Sequence, residues 1–292
     1  MDTISVVIPT YQGTSRIVQT LRCLEKQTFK AFEVVVVIDG STDNTENEIL
    51  KAKLDLELSV VNQSNKGRSG ARNSGAKKAL GSYIVFFDDD VIIPDNILEK
   101  YHQKSLQNPS VVAGAYYQAY DYQNEFIRYA GYLNEKWKTD TPSGEPQVPF
   151  LNAGNCMISR SVFDSLSGFD ERLTDAEDRD FAIRATEEKF RILFGEDIAV
   201  GHRHQTSFKV YAKRLKEYRK AGAHLYAINP VVEKYIRREP QTMGRLKNVL
   251  YWIFSADIFV ALIDKGLFVL IPVRLRYRIY DFLLTANSYF PK

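Results

Sequence analysis

Four short apolar runs dominate the first third of this chain: Ile4-Ser-Val-Val-Ile-Pro9, Phe32-Glu-Val-Val-Val-Val-Ile38, Leu56 to Val61, and Tyr83-Ile-Val-Phe-Phe87. The first, second and fourth suit strands that are covered on both sides, and Leu56 to Val61 reads as a further strand. Between them the pattern turns helical. Ile17, Val18, Leu21 and Leu24 recur at helical spacing, Thr45 with Glu48 reads as a capping box, and Gly70 to Leu80 is rich in alanine. Strands alternating with helices predict βαβ units, an α/β class and a mostly parallel sheet. The runs end in polar loops: Thr10 to Ser15, Asp39 to Asn44 and Asp88 to Asp90, with Asn65 to Ser69 after the third. Open α/β sheets bind ligands at that carboxyl edge.

The fourth run delivers three adjacent carboxylates, Asp88, Asp89 and Asp90. They repel one another unless they are solvated or a cation offsets them. In an extended chain Asp88 and Asp90 fall on one side, which suits a hard divalent cation with oxygen ligands. Alone, the stretch reads equally as a solvated acidic turn.

Charge divides the chain. From Val200 onward there are 17 Lys and Arg against 6 Asp and Glu, a balance of +11; the other 22 and 30 give −8 over residues 1–199. An acidic front and a basic tail suggest that the tail meets an anionic partner. Cys23 and Cys156 lack metal-ligand spacing and fit a reduced, cytosolic setting. The start, Met1 to Ser5, has no basic-then-apolar signal pattern.

Beyond Pro94, a helix is expected over Asp95 to Leu106 and a strand over Val111 to Ala119. Asn134 to Phe150, with three prolines, reads as a long polar loop. Order resumes at Asn152 to Ser159, with helices at Ser161 to Leu166 and from Ala176, and short strands on either side of Gly195. A basic helix follows Ser207. Val249 to Ile271 is about long enough to span a bilayer, but Asp257, Asp264, Lys265 and Gly266 argue against a simple span. Flanking Arg and Lys with Tyr251, Trp252 and Tyr277 suit an interfacial helix pair on the anionic cytoplasmic face of a membrane, against the plainer reading of a packed helical cap. Nucleic acid is not expected, because the basic residues accompany a large apolar surface and no known binding motif.

The motifs, in order, are Ser5-Val-Val-Ile-Pro-Thr-Tyr11, Val37-Ile-Asp-Gly-Ser-Thr-Asp43, Asn65-x-Gly-x-x-x-Ala-Arg-Asn-x-Gly75, Phe87-Asp-x-Asp90, Gly168-Phe-Asp-Glu171 and Glu177-Asp178. This set resembles the family 2 glycosyltransferases, which have the GT-A fold, over roughly residues 3–205. The resemblance implies inverting transfer of a sugar from a nucleoside-diphosphate donor, UDP favoured, to a hydroxyl of a glycan or lipid-linked glycan. It also implies a divalent metal, Mn2+ or Mg2+, that offsets charge on the leaving diphosphate. Residues 1–95 then form the nucleotide-sugar part, 96–205 the acceptor part and 206–292 a helical extension.

On this resemblance Asp90 is the metal ligand and Asp88 contacts the ribose or a metal-bound water. Asp89 stands on the donor side of the same turn or is a solvated turn acid. Asp39 contacts the base, since a carboxylate accepts the imide N–H of uracil. Asp43 does likewise or makes an Asx turn. Pro9, Thr10 and Tyr11 line the base and ribose, or Tyr11 is edge packing. Lys66, Arg68 and Arg72 lie beside a glycine-bearing helix start where anions bind, and Gly67 and Gly75 allow close backbone approach. Asp178 is the base that takes the acceptor proton and Glu177 binds acceptor or is the second choice of base; the alternative is that both serve the helix dipole. His202, or His204, completes the metal shell or binds diphosphate, or is structural. Asn152, Gly154 and Asn155 border the donor sugar. The 134–150 loop folds over acceptor, and Trp137 stacks on a sugar or anchors that loop. A nucleotidyltransferase would need a glycine-rich basic loop after the first strand, and Thr10 to Ser15 holds one glycine. An inactive sugar-nucleotide-binding or membrane-scaffold protein is opposed by Asp88, Asp90 and Asp178.

Overall fold

The computed structural model describes residues 3–107, 109–118, 125–140, 148–202, 207–236 and 244–290. The chain divides into two compact units, Met1–Ala119 with Trp137–Arg203, and Tyr120–Lys136 with His204–Lys292. In chain order the elements up to the second crossover are β1 (Ile4–Thr10), α1 (Ile17–Glu25), β2 (Phe32–Asp39), α2 (Thr45–Lys51), β3 (Leu58–Gln63), α3 (Gly67–Lys78), β4 (Tyr83–Phe87), β5 (Val91–Ile92), α4 (Ile97–Ser105) and β6 (Val111–Gln118). They are followed by α5 (Glu125–Asp140), β7 (Asn155–Ser159), α6 (Arg160–Ser165), α7 (Glu177–Glu187) and β8 (Ile192–His202). The helices α8 (Phe208–Ile228), α9 (Val232–Tyr235), α10 (Arg245–Phe254), α11 (Asp257–Asp264) and α12 (Val273–Tyr289) complete the chain.

In the first unit the strands form one sheet in the order β3-β2-β1-β4-β7-β6-β8-β5. The four apolar runs make its parallel half, with Val6 opposite both Val34 and Val85. β7 enters antiparallel between β4 and β6, so the sheet is mixed. Alternate side chains supply two cores. Val7, Val35 and Phe86 face α3, α6 and α7, while Val6, Val34 and Val85 face α1 and α4. Each such fully buried Val or Phe contributes about 1.5–3 kcal/mol. α3 sits close on the sheet because Gly75 has no side chain: a Cβ there would lie 2.3 Å from Val7 Cγ1.

Several local expectations change. α3 begins at Gly67 rather than Gly70. α2 begins where expected, but Asn44 is its cap residue; the Thr45 hydroxyl is turned to Asp43, and Asn44 Nδ2 donates to Glu48 at 2.9 Å. The two short strands near Gly195 are one strand, β8, whose pairing with β6 shifts register after Gly114. Asn155 serves that irregularity. Its Nδ2 donates to the Ala115 and Ile198 carbonyls at 2.8 and 3.0 Å, and its Oδ1 accepts from Tyr101 Oη at 2.7 Å. It is fully buried and committed to the sheet, not to a donor sugar. Asn134–Asp140, expected as loop, is the last part of α5.

The second unit has its own core of Phe126 and Tyr129 from α5, Phe208 from α8, and Tyr277 and Tyr280 from α12. Their rings meet at 4.8–5.9 Å between centroids, mostly edge to face. Arg276 Nε lies 2.9 Å from Glu125. Asp264 reaches across to cap α8, accepting from the Phe208 and Lys209 amides at 2.8 and 3.1 Å. Among the described residues no single helix is long and apolar enough to cross a membrane.

Candidate active site

The loops after β1 and β2 are laced together. Gln12 Oε1 accepts from the Thr42 and Asp43 amides, both at 3.1 Å, and Gly13 N donates to Thr45 Oγ1 at 2.9 Å. Asp43 accepts from the Thr14 hydroxyl at 2.6 Å and from the Thr45 amide at 3.2 Å, an Asx turn. Desolvation opposes its charge, yet the Thr14 and Thr45 hydrogen bonds hold its carboxyl down at about 2. Asp39, at the end of β2, is buried. Its Oδ1 accepts from Gln63 Nε2 at 2.7 Å and the Lys66 amide at 2.8 Å, while its Oδ2 takes no hydrogen bond among the described residues. Gly40 must be glycine: its φ is +73°, and a Cβ would lie 2.7 Å from the Asn65 amide. Tyr11 is 52% exposed, so it is not edge packing. Pro9 is half-buried and pairs with Val37, and Lys66 is exposed just ahead of α3. Arg68 pairs with Asp175 at 3.3 Å.

Asp89 is not a solvated turn acid. It accepts from the buried Thr10 hydroxyl at 2.6 Å and from Arg16 at 2.9 and 3.2 Å. The Thr20 hydroxyl donates to the Asp89 carbonyl at 2.9 Å. The turn is thereby fastened to β1 and α1. Asp88 goes elsewhere. Its Oδ1 accepts from Arg72 Nη2 at 2.8 Å and its Oδ2 lies 3.4 Å from the Tyr116 hydroxyl. Gly154 closes over it, since a Cβ there would lie 2.1 Å from Asp88 Oδ2. Asp90 is half-buried and within electrostatic reach of Arg16 and Tyr116.

Arg72, on α3, is buried and spans two motifs. Nη2 meets Asp88, and Nη1 meets Glu177 Oε1 at 2.7 Å. Burial opposes its charge, but Asp88 and Glu177 outweigh that and hold the guanidinium protonated. Its Nε is buried without a hydrogen-bond partner among the described residues. The next residue, Asn73, clamps the loop that precedes α7: its Nδ2 donates to the Phe169 carbonyl at 2.8 Å and to Glu171 at 3.0 Å, and its Oδ1 accepts from the Phe169 amide at 2.9 Å. Ala176 then enters α7 in the left-handed region at φ +65°, a strained conformation for alanine.

Glu177 and Asp178 form the first turn of α7. Asp178 is partly exposed and accepts from the Arg179 amide at 2.7 Å. Desolvation, then the neighbouring charge of Glu177, pushes its carboxyl up to about 7. A base poised there can take a hydroxyl proton near neutral pH.

No group of three His, Cys, Asp or Glu side chains close enough to hold a metal occurs among the described residues. Position 202 does pair with Val91, the residue after Asp90. The His202 side chain, the Trp137 side chain and all of His204 lie outside the described residues. Four contributors were not foreseen: Arg16, Gln63, Tyr116 and the Asn73 clamp. Only Asn73 carried a signal, as part of the Ala-Arg-Asn motif.

Residues 5–167 match the profile of glycosyl transferase family 2. The chain is 36% identical over 132 residues to the glycosyltransferase GlyG of Streptococcus pneumoniae serotype 4, 44% of each chain. It spans only 18% and 17% of two further relatives, from Rickettsia bellii and again from S. pneumoniae. It is 25% identical over 277 residues to the O-antigen chain rhamnosyltransferase WbaN of Salmonella anatum, 87% of this chain and 84% of WbaN. Among solved structures, the mannosyltransferase PcManGT of Pyrobaculum calidifontis, in complex with GDP-Man and Mn2+, superposes with TM-score 0.63 at 19% identity. That match covers 98% of this chain and 86% of PcManGT. S. aureus TarS 1-349 in complex with UDP superposes with TM-score 0.54 at 21% identity, covering 98% and 90%. These likenesses show the GT-A fold. With the profile covering more than half of its length, the chain belongs to glycosyl transferase family 2.

Proposed function

We propose that this chain is an inverting glycosyltransferase that moves a sugar from a nucleoside diphosphate to a hydroxyl of a glycan or lipid-linked glycan. The observation that carries the reading is the first turn of α7, where desolvation and Glu177 raise Asp178 into the range of a working base. Arg72 ties that turn to Asp88 at the end of β4. In a single displacement the acceptor oxygen bonds the anomeric carbon as the bond to diphosphate breaks on the opposite face. The hydroxyl proton passes to Asp178. Glu177, held by Arg72 at 2.7 Å, stands beside Asp178 and positions it.

On the donor side, the Oδ2 of Asp39 is available to accept the imide N–H of uracil, which favours UDP, and exposed Tyr11 can stack on the base. Lys66 offers a cation toward the diphosphate. Asp88 and Asp90 are hard oxygen donors that fit Mn2+ or Mg2+, with His202 across the β5–β8 pairing as a third. Such a cation would neutralise charge on the leaving diphosphate. The basic, apolar helical unit supports peripheral attachment to the cytoplasmic face of a membrane.

The test is a screen of UDP-, GDP- and dTDP-sugars for nucleotide release with Mn2+ or Mg2+. Asp90→Ala is expected to lose metal-dependent nucleotide binding. Asp178→Asn is expected to keep donor binding and lose transfer; wild-type transfer by that variant rejects the base assignment.

A further inference from the structure

A surface helix of a soluble protein buries an apolar stripe and shows water a polar one. α10 does not. Its inner side is set by Tyr251, buried against Phe282 and Tyr289. Its outer side carries Leu246 (75% exposed) and Trp252 (56%), with Val249 and Ile253 between them. The pattern continues into α11 and the loop before α12. Ile258 is 63% exposed, Leu267 63% and Leu270 98%. Scattered exposed leucines need no explanation, but so many in residues 246–275 of one unit mark an interaction surface.

Charge identifies the occupant. Arg245, Lys247, Lys265 and Arg274 are all exposed in or at the edge of the same stretch. The acids there are already engaged within the unit. Asp264 caps α8 at 2.8 and 3.1 Å, and Asp257 lies 3.3 Å from Asn287 Nδ2 and 3.8 Å from Lys216 Nζ. Apolar side chains ringed by exposed cations match the acyl and headgroup layers of an anionic bilayer. A protein partner that covered this area would call for acids to meet the cations, and the stretch offers a second copy only Asp257 and Asp264, both already engaged within the unit.

Spanning is disfavoured by the same contacts. α10 and α11 reach a spanning length of apolar residues only together, and they are bent by 56°. Straightening them would pull Asp264 from the α8 amides and bury its charge in hydrocarbon.

We infer that residues 245–275 form a monotopic docking face for an anionic phospholipid bilayer, with α10, α11 and the 265–271 loop lying in the headgroup layer. This rests on the membrane attachment proposed above and specifies its surface and its depth.

The experiment is flotation of the full chain with vesicles of phosphatidylcholine alone or with about one-third phosphatidylglycerol, the bilayer being the attracting partner. Wild type is expected to float with the anionic vesicles, to dissociate as salt is raised, and to remain behind with the neutral ones. Leu246→Glu with Leu270→Glu, and separately Arg245→Glu with Lys247→Glu, are each expected to weaken partitioning at least about tenfold. Both pairs are exposed, and an unchanged unfolding midpoint confirms that they fold. If wild type does not float, membrane attachment itself fails; if wild type floats and both variants float equally, the assigned face fails. A wild-type dimer without lipid that the Leu246→Glu, Leu270→Glu variant dissolves overturns the lipid in favour of a second copy. Nucleotide release by the wild-type chain without vesicles reports on the transferase reading separately.

Discussion

Arg72→Met removes one cation and leaves two acids facing a hole. The two are not equivalent. The Glu177 side chain is 5% exposed and the Asp88 side chain 34% exposed, so water can rehydrate Asp88 but not Glu177. Breaking a buried ion pair by deleting one partner costs about 3–5 kcal/mol. With Asp88 partly screened, the lower end applies, about 3 kcal/mol, or roughly a 100-fold shift in the folding equilibrium. The urea midpoint should fall accordingly. Arg72→Met,Glu177→Gln should recover most of the loss, because the uncompensated carboxylate is gone. A second readout separates this from packing. Arg72 also holds the Asp178 carboxyl down, so its removal drives that group further up. In kcat/KM profiles the acidic limb should move to higher pH, and Arg72→Lys should restore the limb better than the stability, since one ammonium cannot reach both acids. A wild-type urea midpoint for Arg72→Met, or no rescue by the second substitution, would refute the bridge.

Three further outcomes are expected. With the Asp178 carboxyl raised to about 7, the base form is gained as pH rises through 7, so kcat/KM should fall about tenfold per unit below that, and Asp178→Asn should abolish the limb along with transfer. Ala176→Gly relieves the left-handed conformation at φ +65° and, after the added entropy of the unfolded chain, should raise stability by about 1 kcal/mol in urea melts while lowering kcat as the α7 entry loosens. Gly154→Ala forces a methyl to within 2.1 Å of Asp88 Oδ2 and 2.2 Å of Tyr116 Oη, and steady-state kinetics should show roughly a 100-fold loss in kcat/KM from the displaced acid.

What the residues disclosed in advance depended on how local the cause was. β1, β2 and β4 were readable because their apolar runs are nearly uninterrupted and their burial nearly continuous, whereas β3 is only half-buried. Asn155 was misread because an asparagine beside a glycine resembles a site residue, while the register shift it repairs joins residues near 114 to residues near 195. The fastening of Asp89 was hidden for the same reason, since Arg16 lies 73 positions earlier. α5 was missed, its last part being read as loop from the prolines at 142, 146 and 149, although Phe126, Tyr129 and Leu133 sit at helical spacing and pack in the second core.

α3 changes how the motifs divide the work. Read along the chain, Asn65 to Gly75 belongs to the donor and Gly168 to Asp178 to the acceptor. In the fold, the same helix does both. Lys66, just ahead of it, donates its amide to Asp39, its middle sends Arg72 to Asp88 and Glu177, and Ser69 and Asn73 hold the 169–173 loop at 2.8–3.0 Å. Gly75 then locks the helix against Val7, so these positions cannot shift independently of the sheet. The Ala-Arg-Asn-x-Gly spacing therefore has a mechanical reason. Arg72 and Asn73 project to an acid and a loop, and Gly75, on the face toward the sheet, fixes the distance between them. On the function proposed above, Asp88 on the donor side and Asp178 on the acceptor side serve the same displacement, and a single rigid element holds both turns.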